Sequence, residues 1–351
     1  MLRKSNAGRA LCARPGSSFN SPGGVTKMPD IPLTFACTLY DRTVPLCVGD
    51  VRPAGIDLQY IHNVDTRSIF DRMVRDLEFD AAEMSITEYA VRLAQDRNAF
   101  VAIPAFPSRM FRHGFICVNK RAGIESPKDL EGKRIGVPLY TMTAAVFIRG
   151  LLMNEYGVDL SDVQWIEGAV NDTGSHGNPD VLPLNRPAQR APNTTGQSLD
   201  TLLESGQLDA ILGAVLPRSL GRGSVQRLFP DFRELEKAYF RRTGVFPVMH
   251  VIVIRKDVYQ AHPFVAASLY RALCDAKEIA LARMRESRTL AYMLPWMRID
   301  VEELDELFPH GDPWPYGVEA NLPTLEAFAA YLFQQGMVDR HLSPHELFVP
   351  V

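Results

Sequence analysis

From Ile31 to Ala105 short apolar runs alternate with amphipathic segments, and this alternation restricts what the chain can fold into more than any other feature. Residues 32–38 (PLTFACT) and 56–62 (IDLQYIH) read as strands, set apart by turn chemistry at Gly49, Pro53 and Gly55. Asp65 or Thr66 then caps a helix to about Glu78, with Ile69, Met73, Val74 and Leu77 on one face. A strand over 79–84, a helix to about Asp96 and a strand over 99–105 follow. Such alternation predicts a mainly parallel sheet with helices on both faces and a ligand beyond the carboxyl ends of the strands.

A second alternating block begins at 113–119 (HGFICVN). It continues through strands at 134–138, 162–167 and 208–215, with helices at 141–155 and 198–205. With 351 residues the chain exceeds the roughly 250–300 at which one core stops growing, so two lobes are expected. A strand at 248–255, a long helix from about Pro263 to Glu286, and helices near 301–308 and 323–335 are placed most economically against the first lobe. The chain then crosses between lobes twice, giving lobe 1 residues 31–112 and 246–351, lobe 2 residues 113–245, and a hinged ligand cleft between them. The polar, Gly/Pro/Asn-rich stretch 168–197 is longer than ordinary loops and reads equally as a lid or a plain insertion.

Composition narrows the function. A net charge of −3 without a Lys/Arg run leaves no electrostatic footprint for nucleic acid, and an anionic ligand would need local arginines or helix N-termini. No apolar run approaches a membrane span. Residues 1–30 read as a disordered leader, basic and Ser/Gly/Pro-rich, without the apolar stretch of a secretory signal; Met28 is an alternative start. A cytoplasmic location is expected. The five cysteines, Cys12, Cys37, Cys47, Cys117 and Cys274, have no C-x-x-C spacing and read as reduced thiols. No metal or other cofactor is called for, and homo-oligomerisation is left open.

Several residues are candidates for chemistry. Tyr40, Asp41 and Arg42 follow the first strand and read either as a binding loop, with Arg42 gripping a carboxylate, or as a solvated turn. Ser85 can cap a helix whose free amides face the cleft, and Glu83 before it reads as a dipole-stabilising carboxylate or as a catalyst. Residues 136–143 repeat that arrangement, with Tyr140 leading into a helix capped by Thr141 or Thr143. On the expected crossings lie Arg109 and His113, outgoing, and His250, returning; each histidine is either a ligand-facing group or a satisfied structural one. Arg242 is an anchor or an ordinary helix C-terminal charge. G-x-G-x-x-G, Walker, H-E-x-x-H and G-x-S-x-G motifs are all missing, which leaves nucleotide, zinc-protease and serine-hydrolase readings unsupported.

The segments LTFACTLYDRT (33–43), FDAAEMSITEY (79–89), FVAIPAFPSRMFRHGFICVN (100–119), GKRIGVPLYTMTAAVFIRG (132–150), EKAYFRRTGVFPVMHVIVIRKDVY (236–259), YMLPW (292–296) and WPYGVEAN (314–321) together resemble the 4,5-dihydroxyphthalate decarboxylase family. The resemblance runs in order from about Pro32 to the end and implies a two-lobed α/β fold of the type 2 periplasmic-binding kind, with mixed sheets. It also implies a small anionic aromatic substrate and loss of one carboxylate from 4,5-dihydroxyphthalate to give 3,4-dihydroxybenzoate without a cofactor. His113, His250 and Glu83 are then candidates for proton transfer. Tyr40, Asp41, Arg42, Ser85, Arg109, Tyr140, Thr141, Thr143 and Arg242 are candidates for substrate binding. The competing expectations are a solute-binding protein of the same fold and a cytosolic aromatic-acid sensor.

Overall fold

The computed structural model describes residues 29–351 apart from 178, 180, 182–187, 287 and 309–310, so the expected leader lies almost wholly outside the described residues. The first half opens with β1 (Ile31–Ala36), α1 (Val44–Cys47), β2 (Ile56–Ile61), α2 (Thr66–Asp76), β3 (Ala81–Ser85), α3 (Ile86–Ala94) and β4 (Phe100–Arg109). The middle of the chain gives β5 (Ile116–Asn119), β6 (Arg134–Val137), α4 (Thr143–Glu155), β7 (Gln164–Glu167), β8 (Arg190–Pro192), α5 (Leu199–Ser205), β9 (Ala210–Leu212), β10 (Val225–Arg227) and α6 (Phe232–Thr243). The last third holds β11 (Val248–Arg255), α7 (Lys256–Ala261), α8 (Phe264–Arg285), α9 (Met297–Leu307) and α10 (Leu322–Gln334).

The strands form two mixed sheets ordered β2-β1-β3-β11-β4 and β10-β5-β9-β6-β7-β8, the architecture of a two-lobed type 2 periplasmic-binding fold. In the first, β1 lies parallel to β2 and β3, while the returning β11 enters antiparallel between β3 and β4. In the second, β9, β6, β7 and β8 run parallel to one another out to the β8 edge, while β5 pairs antiparallel with β9 and β10 antiparallel with β5 at the other side. Helices are placed by local chemistry. Asp65 caps α2 by accepting from the Ser68 amide, and α2 stops where Leu77 turns left-handed at φ 50°. Ser85 caps α3 in the same way through the Glu88 amide. Inside 168–197 the sequence shows no strand, yet Arg190–Pro192 adds one at the sheet edge, where a proline removes no needed ladder bond.

The C-terminal helix departs from the economical placement against the first lobe alone. α10 also packs on α4 of the second: Phe147 stacks on Phe328 at 5.7 Å, and Arg149 Nε donates to Gln335 Oε1 at 2.8 Å. Gly150 lies against the Tyr331 ring, with no room between them for a side chain. The apolar core of the first lobe therefore continues through α10 to one face of α4 without a break. Among the described residues no helix is long and apolar enough to cross a membrane.

Gly150→Ala should lower the unfolding free energy by about 1–3 kcal/mol, the range for overpacking, although alanine is the better helix former. Denaturant titration measures it; an unchanged midpoint would mean that α4 and α10 separate freely.

Candidate active site

Three helix N-termini converge on a cleft of about 360 Å³ between the sheets. Asp65, Thr66 and Arg67 of α2 and Ser85 and Glu88 of α3 line it from the first lobe; Met142, Thr143 and Ala144 of α4 face them from the second. Ser108, Met249 and His250 form the floor, and Arg112 sits at the crossing. Ser85 Oγ and Thr143 Oγ1 share a hydrogen bond of 3.0 Å across the cleft. Helix N-termini carry unsatisfied amides and partial positive charge, so this convergence favours an anion despite the negative net charge.

Behind the floor lies a buried carboxylate. Glu83 is 0% exposed in the middle of β3, a strand otherwise made of Ala, Met and Ser. A charge there needs several donors. Thr38 N donates to Oε2 at 2.9 Å and Tyr40 OH to Oε1 at 2.6 Å, both from the loop that follows β1. The Cys37 thiol lies 3.5 Å from Oε2, and His250 Nδ1 lies 2.5 Å from Oε1. Burial pushes the Glu83 carboxyl up, but the His250 charge and these hydrogen bonds outweigh it and hold it below the usual carboxylate range. The same carboxylate, after burial, pushes the Tyr40 phenol and Cys37 thiol up, so both remain protonated donors.

Strand register brings the pair together. Ser85 faces His250 and Glu83 faces Ile252 across β3 and β11, so Glu83 and His250 are diagonal neighbours on one face, within reach of two long side chains. Irregularities in the β4–β11 register flank His250 on both sides, a device that re-aims side chains. The imidazole packs edge-on to Phe70 at 5.0 Å, and with Nδ1 held by Glu83 its other nitrogen is left to the cleft. Among the described residues no three His, Cys, Asp or Glu side chains gather as a metal-ligand set.

Over 326 residues the chain is 35% identical to 4,5-dihydroxyphthalate decarboxylase of Comamonas testosteroni, an alignment covering 92% of this chain and 98% of that one. The chain belongs to the 4,5-dihydroxyphthalate decarboxylase family. The Pseudomonas putida enzyme of the same name is 36% identical over 215 residues, 60% of this chain and 81% of that one. Residues 54–178 match the family model described as NMT1/THI5 like. Among solved structures, the periplasmic aliphatic sulphonate binding protein SsuA of Escherichia coli aligns with a TM-score of 0.52 over 92% of this chain and 93% of that one, at 9% identity; this is a likeness of fold.

In this decarboxylase family member the structure gathers some of the sequence candidates and disperses others. Glu83, His250 and Tyr40 form one hydrogen-bonded unit, and Ser85 and Thr143 face each other in the cleft. Arg42 does not reach it. Its guanidinium lies between the Tyr40 and Trp314 rings at 4.3 and 4.1 Å, donates to the Pro107 carbonyl and pairs with Asp41, which also accepts from Tyr292 OH. Arg109 is spent on the crossing: it donates to the carbonyls of Phe246 at 2.7 Å and Pro315 at 3.2 Å, and burial pushes it down to about 9. Ser108 lines the cleft, and in a strand the next side chain points to the opposite face.

His113 is likewise displaced, turned away under the second lobe into a cage of Tyr156, Phe229 and Tyr239 rings at 5.4–6.4 Å, with Glu236 Oε1 3.8 Å from Nδ1. The neighbouring Gly114 lets the chain pass the Phe232 ring at a distance no side chain allows. The Tyr140 ring is clamped between Trp165 and Arg149, and its amide donates to Glu167; Thr141 faces an adjoining pocket with Glu167 and Ser175. Arg242 pairs with Glu155 at the far end of α4. Three cleft residues had no sequence signal: Arg67, held by Glu88 and Asp71; Arg112; and His176, which the 168–197 stretch carries to the cleft beside Arg67.

Burial pushes His113 down to about 4 from an ordinary 6.5. Between those values the unfolded chain binds the extra proton, so this group's contribution to stability rises with pH. Glu236, pushed up to about 6 by burial, contributes with opposite sign below that pH, and the charges of Arg112 and Arg227 face it. All three are common to wild type and His113→Phe. The stability of wild type relative to that variant should therefore rise by on the order of 3 kcal/mol between about pH 4 and 6.5. Denaturant titrations across the range test it, and a flat difference would mean that His113 keeps its ordinary titration in the folded protein.

Proposed function

We propose that this chain decarboxylates 4,5-dihydroxyphthalate to 3,4-dihydroxybenzoate and CO2, with His250 as the proton donor and Glu83 as the group that orients it. The observation carrying the reading is the carboxylate-braced imidazole on the floor of an anion-favouring cleft, in a member of this family. In the substrate each carboxylate is para to a hydroxyl, so phenol oxygen electrons raise the electron density at the carbon bearing it. That carbon takes a proton from His250. The bond to the carboxylate then breaks, its electron pair restores the aromatic ring, and CO2 leaves; water returns the proton to the imidazole.

Glu83 does two things in this scheme. It fixes which ring nitrogen faces the cleft by holding Nδ1, and its buried carboxylate locks the orientation of the ring during the transfer. The three helix N-termini hold the substrate's negative charges, and the Ser85–Thr143 contact draws the lobes together around it. The fold shared with a sulphonate-binding protein favours a second reading, ligand capture without turnover.

Incubation of purified protein with 4,5-dihydroxyphthalate separates the two: stoichiometric CO2 and 3,4-dihydroxybenzoate are expected, whereas binding without product would establish capture alone. His250→Asn should lower turnover by about 10²–10⁴-fold, the contribution of general acid catalysis. Glu83→Gln should lower turnover while leaving phthalate affinity largely unchanged. Near-normal turnover in both variants would remove the pair from the chemistry.

A further inference from the structure

We propose that Arg112 is the anchor for the carboxylate that the substrate retains. Among the described residues of the cleft, its guanidinium is the feature that the protein builds at a cost and leaves without a use of its own. Arg112 is 6% exposed, and both Nε and Nη1 are sealed from solvent without a hydrogen-bond partner. The side chain lies over the Phe115 ring at 4.7 Å, and burial pushes it down to about 10. Glu236 is the nearest opposing charge; it accepts from the Gly114 amide and forms no ion pair with Arg112. An unpaired buried cation costs several kcal/mol.

The other buried arginines of the hinge region differ. Arg109 donates to two carbonyls, and Arg149 donates to Gln335 and to the Tyr140 carbonyl. Arg112 alone of these three lines the cleft. A guanidinium presents a planar fork that matches a carboxylate with two parallel hydrogen bonds. With Arg112 at the crossing and His250 on the floor of the same cleft, the two carboxylates of an ortho-substituted aromatic ring have separate partners. The one on Arg112 stays, and the other is delivered to His250. This assignment rests on the decarboxylase reading for the identity of the ligand and extends it to why two adjacent carboxylates are needed.

Calorimetry with phthalate, which lacks the hydroxyls needed for reaction, and with the product 3,4-dihydroxybenzoate tests it without turnover. Arg112→Met should weaken both by about 10- to 100-fold, and Arg112→Lys, which keeps charge but loses the fork, should fall between. Without ligand, the melting temperature of Arg112→Met should equal or exceed that of wild type, because no hydrogen bond is lost, whereas Arg109→Met should melt lower. Unchanged phthalate affinity in Arg112→Met, or a ligand-free melting temperature that drops as far as in Arg109→Met, overturns the anchor. Loss of phthalate affinity without loss of product affinity assigns Arg112 to the departing carboxylate and overturns the proposal as stated. A protein that releases no CO2 but loses phthalate affinity on Arg112→Met would sink the activity and keep the anchor. Wild-type protein that binds no phthalate overturns both.

Discussion

A carboxylate buried at the centre of a sheet organises the first lobe around itself. Glu83 can hold its charge there only because two separate segments turn donors toward it: the loop after β1 with Cys37, Thr38 and Tyr40, and the returning strand β11 with His250. Each segment is thereby fixed relative to β3. The strand ends at which ligands bind in open α/β sheets become a rigid floor, and the imidazole on that floor is oriented before any ligand arrives.

The second constraint is the position of α4. Its N-terminus forms the opposite wall of the cleft, and what holds it is a helix from the far end of the chain. Phe328 and Tyr331 of α10 and Gln335 at its C-cap meet Phe147, Gly150 and Arg149 of α4 across a continuous apolar core. The two lobes are thus joined by packing as well as by the two crossing segments, and Arg109 laces those crossings to the C-terminal region through the Phe246 and Pro315 carbonyls.

The candidate site was partly legible. Glu83 stood out because it ends a strand just ahead of a helix start, and His250 because it lies on the return crossing; the structure joins them. Ser85 followed from helix-start chemistry, which is local; Thr141 and Thr143 were expected as caps, but the cap position of α4 is Met142, without a side-chain cap bond, and Thr143 is the helix's first residue. The arginines did not follow. Between Ser108 and Gly114 the sequence offers Arg109 and Arg112, and choosing between them requires knowing which face of β4 meets the cleft and where the strand ends. The strand runs on to Arg109, Ser108 takes the cleft face, and only Arg112, beyond the strand, turns back toward it. His113, one residue further, is carried past the hinge into its aromatic cage.

By itself the sequence determined the alternation of strands and helices, the two-lobed α/β class, a helix start at Asp65 or Thr66 and a cap at Ser85, and membership of a decarboxylase family through long ordered segments. These properties are local or are carried by runs of residues, so they survive without coordinates. Tertiary structure decided which charged groups face the ligand and which serve the scaffold. Arg42, Arg109 and Arg112 have the same side chain, yet one is held between two rings, one is spent on backbone carbonyls and one lies buried at the cleft without a hydrogen-bond partner at Nε and Nη1. That difference is set by strand register and by contacts between residues more than two hundred positions apart, such as Arg109 with Pro315, which no local pattern encodes.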